Sequence, residues 1–526
     1  MLDLVVQAGT ILDGTGRQRF QADVGVSDGR IVAIGDLAAA ESARRLAAEG
    51  LLVAPGFIDI HSHSDFTLLI DPRAQSSIFQ GFTTEVVGNC GHGCAPLTDP
   101  GLFTGNIYGY APDVEIDWHS MSEYLARLDA AGPAVNVVSL VPNGNLRLAV
   151  LGMEDRPATE DEIGQMERLL EASLEEGAFG FSTGLEYPTE RACSEEETIR
   201  LCRVVARADG LYATHTRNKE VYAVEAVEEG VRVAESAGVR LQVSHIIPRR
   251  GGPPDARERA IEVVDSARER GMDIAFDAHT RMHGITNVST ALPTWAFEGG
   301  PDKLAARLKD PAVRAEMKSH QSIISSFGLG GWDRVYLFKS EHRPDLVGKS
   351  FQELAPAGGD VYDAIFDLML AEIDDPHAPL CICHSYEEDE LRQTFRHPLC
   401  MVGSDATALA TDGPLAGTEF LGAFTWAAWF FRRCVYETAE ITFEEAVHKL
   451  TAVPAERLGL TDRGRLAEGS RADIVVFDPA RFRERGTLED PSQLAEGVAH
   501  VVVNGGVTIE KGSLTGSRTG QVLRHR

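Results

Sequence analysis

A chain of 526 residues is too long for one small domain, and its length predicts two or three. With 43% hydrophobic and 25% charged residues, the composition is that of a globular protein and argues against disorder. The formal net charge of −29 argues against nucleic acid or an anionic membrane as a partner, and its simplest role is to keep the chain in solution.

The N-terminal sequence MLDLVVQAGT has no basic segment and no long apolar core, so no export signal is expected. The most apolar stretch, residues 421–431, is too short to span a bilayer and predicts a buried helix. The eight cysteines are dispersed along the chain, which favours reduced thiols over a disulfide framework and predicts a cytoplasmic protein.

Both ends of the chain predict short strands. In residues 1–55, apolar and polar residues alternate between Gly and Asp-Gly turns, a pattern typical of β-hairpins. The segments GRLAEGSRADIVVFD and VAHVVVNGGVTIEKG near the other end resemble this pattern. We therefore expect residues 1–56 and 464–526 to build one small β-sandwich together.

Between these ends, residues 57–463 alternate between apolar strand candidates and amphipathic helices. The strand candidates are IDIHSH (58–63), TTEVVGN (83–89), VNVVSLVP (135–142), GAFGFSTG (177–184), LYATH (211–215), LQVSH (241–245), DIAFDAH (273–279) and LCMVGSD (399–405). Strand and helix repeated about eight times predict an α/β fold, a (β/α)8 barrel. Residues from about 285 to 348 interrupt the rhythm and predict an inserted subdomain.

Polar residues with metal-binding side chains stand where several of these strands end. In a (β/α)8 barrel the carboxyl ends of the strands meet at one mouth, so these side chains are expected to face a common centre. Imidazole, thiolate and carboxylate groups suit one or two divalent ions, above all zinc. A single histidine of this kind is more typical of a core, but six such residues favour a metal site: His61, His63, Cys90, His215, His245 and Asp405.

This pattern resembles the amidohydrolase superfamily of barrel metal hydrolases, over nearly the whole chain. The motif PGFIDIHSHSD, a histidine on strand 5, a histidine on strand 6 and an aspartate on strand 8 follow in that family's order. A narrower resemblance, to the D-aminoacylases or N-acyl-D-amino-acid deacylases, is carried by GFTTEVVGNCGHGCAPL, FGFSTGLEYP, YATHTRN and LQVSHI. In that branch a cysteine after strand 2 is a metal ligand, where many relatives use a carboxylated lysine.

A carboxylated lysine would have to lie between the H-x-H pair and His215. No lysine precedes Lys219, so that bridging group is missing, and the thiolate of Cys90 is its natural replacement. Cys94 and Glu85 are weaker candidates for the same position.

The resemblance implies a zinc ion held by Cys90, His215 and His245, with a position open for water. His61 and His63 resemble the ligands of a second ion, which in this branch is weakly held or absent. Asp405, also counted among the ligands, is expected to act as general base and then general acid, with a helix cap as the alternative. Tyr187 aligns with a tyrosine that polarises or positions the scissile carbonyl, although packing would also explain it.

The groups that hold the substrate's α-carboxylate in D-aminoacylases are missing. Ile247 stands where a lysine is expected after the strand-6 histidine, and residues 404–420 contain no arginine. Either Arg249, Arg250 or Arg281 takes over, or the substrate is a different N-acyl compound, which is the reading that we favour from the sequence. We list as candidate substrate-binding residues Arg249, Arg281, His279 and His283.

The sequence therefore predicts a zinc-dependent hydrolase of a linear amide bond that acts on a small N-acyl compound. Hydrolysis of a cyclic amide, a carbamate or an ester is the alternative, although the missing lysine argues against hydantoinase-like and dihydroorotase-like enzymes. A non-catalytic scaffold is a distant third reading, because every expected ligand is present. No nucleic-acid or membrane partner is expected, and a homo-oligomer is left open.

Overall fold

The computed structural model describes residues 1–525. Eight parallel strands form its centre, and we number them as barrel strands 1 to 8: Phe57–Asp59, Phe82–Val87, Asn136–Ser139 (continued by Val141–Pro142), Gly180–Gly184, Leu211–His215, Arg240–Val243, Ile274–Ala278 and Cys400–Val402. Each strand pairs in parallel with its neighbour, from strand 1 to strand 3 and from the continuation of strand 3 to strand 8. A parallel bridge between Ser62 and Ala406 joins the ends of strands 8 and 1. The predicted (β/α)8 barrel is confirmed.

Amphipathic helices cover the outside of the barrel. The longer ones are Met121–Ala131, Asn143–Leu151, Glu160–Glu175, Glu195–Arg207, Ala223–Ala237, Ala256–Glu269, Glu388–Phe395, Leu421–Phe430 and Phe443–Leu450. The helix Glu160–Glu175 shows why they form: Thr159 and Glu162 make a capping box, and Ile163, Met166 and Leu170 are buried on one face. The helix Leu421–Phe430 is buried almost throughout, as its apolar sequence predicts, and no described helix is long and apolar enough to cross a membrane.

Strands from both ends of the chain pair into one sheet. They are Leu2–Ile11, Phe20–Ser27, Arg30–Gly35, Ser42–Ala47, Leu52–Pro55, Ile474–Phe477, Val498–Val503, Gly506–Glu510 and Ser513–Leu514. The two ends meet where Leu52–Pro55 pairs antiparallel with Ile474–Phe477. Along these two strands, successive side chains face opposite sides of the sheet. Val53 and Ile474 belong to the core of the terminal sheet itself. Leu52 and Val475 belong to the core that the sheet shares with the barrel.

The last residues leave this sheet and lie against the barrel. The backbone N–H of Val137 on barrel strand 3 donates to the carbonyl of Gln521 at 2.9 Å, and that of Leu523 donates to Val137 at 2.8 Å. Leu523 packs against the core inside the barrel. The sequence assigned these residues to the terminal module because no local pattern marks pairing with a strand almost 400 residues away.

The inserted subdomain has its own sheet and its own core. The strands His283–Asn287 and Val335–Lys339 both pair antiparallel with Leu380–His384. The helices around them are Pro301–Lys309, Pro311–Met317, Ile323–Leu329, Phe351–Leu354 and Val361–Ala371. Its core extends from Val288 to Cys383, past the expected end near residue 348, because the closing strand Leu380–His384 lies between the two earlier ones. We therefore propose limits of 1–56 with 464–519 for the terminal module, 57–463 for the barrel and about 283–384 for the insertion.

Candidate active site

The predicted ligands converge at the carboxyl ends of the barrel strands. The ligand atoms of His61, Cys90, His245 and Asp405 all lie within 4.8 Å of one another. The Sγ of Cys90 is 3.2 Å from Nε2 of His61 and 3.3 Å from Nε2 of His245. Nε2 of His63 lies 3.1 Å from Oδ1 of Asp405, on the side of the group towards strand 1.

His215 lies beside this group of four, with its ring centroid 4.6 Å from that of His245. Its Nε2–H donates to Oε2 of Glu186 at 2.7 Å, which leaves the lone pair on Nδ1. The hydroxyl of Tyr187 is 3.4 Å from that Nδ1. The structure thus brings together all six predicted ligands and Tyr187 at one mouth.

Three of these residues have a left-handed backbone although none is glycine. The φ angles are 54° at Cys90, 36° at His245 and 47° at Asp405. Each such residue costs on the order of 1–3 kcal/mol and persists only where its surroundings hold it. The N–H of Asp405 donates to the carbonyl of His61 at 2.8 Å, and that of His245 donates to Oδ1 of Asp277 at 2.7 Å. The strained turns at Asp405 and His245 are therefore fixed by hydrogen bonds, as expected of a functional site.

The electrostatics of the group favour a thiolate and a carboxylate. Burial alone would raise the pKa of Cys90, but the nearby ring of His61, above all, brings it well below its usual range. Burial also opposes ionisation of Asp405, yet the Arg281 guanidinium and the His63 ring hold its pKa well below the usual value. Burial, with help from the charge of Lys219, lowers the pKa of His245 to about 4, so that its imidazole is neutral.

The donor chemistry of this group fits a zinc ion. A thiolate, imidazoles and a carboxylate are the ligand types that zinc prefers, and here they come from separate strands onto one centre. By contrast, Cys94 lies outside the group of four, and burial raises the pKa of its thiol well above the usual range. Glu85 is also outside it and accepts a hydrogen bond from the Ser62 hydroxyl at 2.8 Å.

Charged residues behind the ligands were not predicted from the sequence. Oδ1 of Asp277 lies 3.3 Å from Nδ1 of His61, and the ammonium of Lys219 contacts Nδ1 of His245. Glu186, which accepts the hydrogen bond of His215, is the third of these charged residues. Metal-binding histidines commonly have such a partner on the second ring nitrogen. Glu186 stands next to Tyr187 in the motif STGLEYP, and that position was the only signal for it.

The predicted substrate-binding residues fall into two groups. Arg281 contacts Asp405, packs over the Phe420 ring at 5.0 Å, and its buried Nε has no hydrogen-bond acceptor among residues 1–525. His279 is buried at the mouth, with its ring 6.3 Å from that of His245. These two residues lie beside the candidate metal ligands.

Arg249 and His283 lie elsewhere. The guanidinium of Arg249 contacts Glu186 and pairs with Glu220 at 2.5 Å, and its side chain is only 9% exposed, so it braces Glu186 from behind. His283 belongs to the inserted sheet, where its ring lies 4.2 Å from that of His384. Arg249 and His283 were placed near the pocket because they follow His245 and His279 closely in the sequence. Ion pairs hold Arg249 away from the mouth, and strand pairing places His283 in the insertion.

An aromatic wall that the sequence did not predict faces the site. The Tyr108 ring lies 4.4 Å from the His63 ring and 4.8 Å from the His92 ring. The Tyr187 ring meets the His92 ring edge-on at 4.5 Å. Such a wall can exclude water and receive an apolar part of a substrate.

Residues 46–319 and 380–509 match the amidohydrolase family. The chain therefore belongs to the amidohydrolase family, as the sequence motifs predict.

Within this family, the chain is 34% identical to an N-acyl-D-glutamate deacylase of Alcaligenes xylosoxydans xylosoxydans, over 99% of this chain and 96% of the relative. It is 31% identical to a D-aminoacylase of the same organism, over 99% and 97%. A crystal structure of an N-acyl-D-glutamate deacylase from Bordetella bronchiseptica, complexed with zinc and a phosphonate inhibitor, superimposes with a TM-score of 0.80 at 33% identity and 99% coverage of both chains. The predicted D-aminoacylase branch is thereby confirmed.

Proposed function

We propose that this chain is a zinc-dependent hydrolase that cleaves the linear amide bond of an N-acyl-D-amino acid. The observation that carries the proposal is the group of His61, Cys90, His245 and Asp405 at one barrel mouth, with ligand atoms within 4.8 Å of one another. Similarity over the full chain to deacylases of N-acyl-D-amino acids supports the same conclusion.

Cys90, His215 and His245 would hold the tightly bound ion, and His61 and His63 would hold a second, weaker one, with Asp405 between the two sets. When bound, zinc lowers the pKa of a coordinated water and polarises a carbonyl oxygen. The strained turns at Cys90 and Asp405 keep these ligands in place before the substrate arrives.

Asp405 would move the protons of the reaction. It is ionised at neutral pH because Arg281 and His63 overcome the effect of burial on its pKa, so it can accept a proton from the attacking water. The same carboxyl then passes that proton to the leaving amine. The Tyr187 hydroxyl, next to His215, would donate a hydrogen bond to the scissile carbonyl.

Arg281 would bind the carboxylate of the substrate. Ile247, which replaces the expected lysine, is buried and 2% exposed, and Arg249 and Arg250 are paired with Glu186 and Glu387 respectively. Arg250 and Arg281 each keep an Nε without an acceptor among the described residues, but only Arg281 of these two contacts Asp405. A guanidinium can bind a carboxylate with two parallel hydrogen bonds. This placement favours an N-acyl amino acid over the other N-acyl compounds that the missing lysine suggested.

Hydrolysis of a cyclic amide is the second candidate. It is supported by a dihydroorotase of Pelotomaculum thermopropionicum that is 25% identical over 92% of this chain. The similarity to the deacylases is higher, and Cys90 stands in place of the lysine bridge, so we rank hydrolysis of a cyclic amide second.

A cytoplasmic location stays a prediction, and the homo-oligomer stays open.

A substrate panel tests the proposal. The zinc-loaded protein should release acetate from N-acetyl-D-amino acids, but not from their L-enantiomers, and should leave hydantoins and dihydroorotate intact. Arg281→Gln should raise KM for the N-acetyl-D-amino acids about tenfold or more, since a hydrogen bond to a charged group contributes about 1.5–3 kcal/mol, and should raise KM for an N-acyl amine much less. Any change in kcat through the contact of Arg281 with Asp405 should be shared by both substrates. Arg203→Gln, on the outer helix Glu195–Arg207, is the matched control. Cleavage of cyclic amides alone would contradict the proposal.

A further inference from the structure

A cavity lies at the end of the barrel opposite the candidate metal ligands. It measures about 770 Å³ and lies where the terminal sheet, the amino ends of the barrel strands and the last residues of the chain meet. Arg240, on its wall, is the first residue of barrel strand 6, whereas His245 follows the end of that strand. Five residues of extended chain separate the two by about 16 Å, so the cavity is distinct from the active site.

Arginines dominate the wall of this basal cavity. Five guanidinium groups line it, against two carboxylates, those of Asp209 and Asp462; the arginines are Arg30, Arg240, Arg463, Arg471 and Arg524. Arg463 also pairs with Asp473, and Arg524 with Asp129, outside the cavity. The other three arginines thus face two carboxylates, an excess of positive charge in a chain whose net charge is −29.

One aspartate serves three of these arginines at once. The carboxylate of Asp462 is 3.6 Å from Arg30, 3.4 Å from Arg463 and 3.4 Å from Arg471. The nearest carboxylate to Arg240 is that of the exposed Asp209 at 4.0 Å, and its guanidinium also donates to the backbone carbonyls of Asp209 and Arg457. At these distances the carboxylates balance charge but do not satisfy the donors.

Three buried donors on the wall have no acceptor. The Nε–H groups of Arg240, Arg463 and Arg471 make no hydrogen bond to any residue that the structure describes. The side chain of Arg463 is only 3% exposed, so water reaches it poorly. Because these Nε atoms are themselves shielded from solvent, the case for a bound anion rests on the excess of positive charge around the cavity.

We propose that the basal cavity binds a small molecule that carries a phosphate group. Guanidinium forks suit phosphate oxygens, and a phosphate offers three oxygens for three donors, whereas a carboxylate offers two. The volume lies within the range of small-molecule sites, which is roughly 300–1,000 Å³, and such sites often lie where domains meet. The site is independent of the hydrolytic reaction proposed above.

Calorimetric titration of inorganic pyrophosphate into the zinc-loaded protein at low salt tests the proposal. We expect a dissociation constant below about 1 mM, the weak end of specific binding. Binding should weaken about tenfold or more in the double variant Arg30→Gln/Arg471→Gln, which loses two charged donors. The matched control Arg203→Gln/Arg207→Gln removes the same charge from an outer helix and should bind as the parent does.

Pyrophosphate can also bind a metal, so Cys90→Ala is titrated in parallel. Retained binding in Cys90→Ala together with weakened binding in the double variant supports the basal site. If the double variant does not fold, Arg471→Gln alone should still weaken binding several-fold. The proposal is overturned if pyrophosphate does not bind, if binding is lost only in Cys90→Ala, or if citrate binds as tightly as pyrophosphate.

Discussion

Replacing Glu186 by glutamine tests whether a buried carboxylate orients a metal ligand. Oε2 of Glu186 accepts the Nε2–H of His215 at 2.7 Å, and Oε1 contacts Arg249, which pairs with Glu220 on its other side. Burial opposes the charge on Glu186, but Arg249 and His215 lower its pKa below the usual value. The carboxylate thus stays charged and, in the proposed site, would leave Nδ1 of His215 to bind the metal.

The size of the effect follows from the contact. Glutamine keeps the shape and one acceptor oxygen but removes the charge. A hydrogen bond to a charged group contributes about 1.5–3 kcal/mol and a neutral one about 0.5–1.5 kcal/mol, so the difference between the midpoints is roughly 1.3 kcal/mol. This corresponds to about tenfold weaker zinc binding, at the lower end of the roughly 10- to 100-fold cost of losing such a partner.

Competition with a chromophoric chelator measures the zinc affinity directly, and thermal unfolding of the metal-free protein shows whether the fold has changed. Glu167→Gln is the matched control, because Glu167 forms an ion pair of 2.7 Å with Arg200 on the outer helices. Zinc affinity equal to that of the parent protein in Glu186→Gln, with an unchanged melting temperature, would refute the role given to Glu186.

Four further predictions concern the metal, the reaction and the fold. Cys90→Ala should contain no bound zinc when measured by elemental analysis. Asp405→Asn should keep zinc and lose turnover. An Asp405→Asn enzyme with the parent rate would contradict the role of Asp405 as general base. Arg147→Met should lower the free energy of unfolding by about 3–5 kcal/mol in guanidinium titrations, because it leaves Glu197 buried and unpaired. A loss below about 1 kcal/mol would show that Arg147 and Glu197 do not form a buried ion pair in solution. Deletion of residues 520–526 should lower the melting temperature, since it removes the backbone pairing with barrel strand 3, and an unchanged temperature would contradict that pairing.

The candidate metal ligands could be grouped from the sequence because each follows an apolar strand. A (β/α)8 barrel brings all strand ends to one mouth, so local order along the chain was enough to group His61, Cys90 and Asp405. The residues behind them could not be found in this way. Glu186 and Arg249 are 63 positions apart, and only the folded barrel brings their side chains into contact.

The limits of the domains were harder to predict for a similar reason. The strand Leu380–His384 has the composition of a barrel strand, and only its antiparallel partners assign it to the insertion. The tail after residue 519 continues the pattern of the terminal strands in sequence, yet it hydrogen-bonds to Val137. Neither assignment depends on local propensity, so the sequence carried no signal for it.

X-ray absorption at the zinc edge of the loaded protein tests the central claim most directly. A site built on Cys90 predicts one sulfur neighbour at about 2.3 Å, together with nitrogen or oxygen neighbours at about 2.0–2.2 Å, and the sulfur should vanish in Cys90→Ser. A zinc ion surrounded only by nitrogen and oxygen in the parent protein would contradict the account.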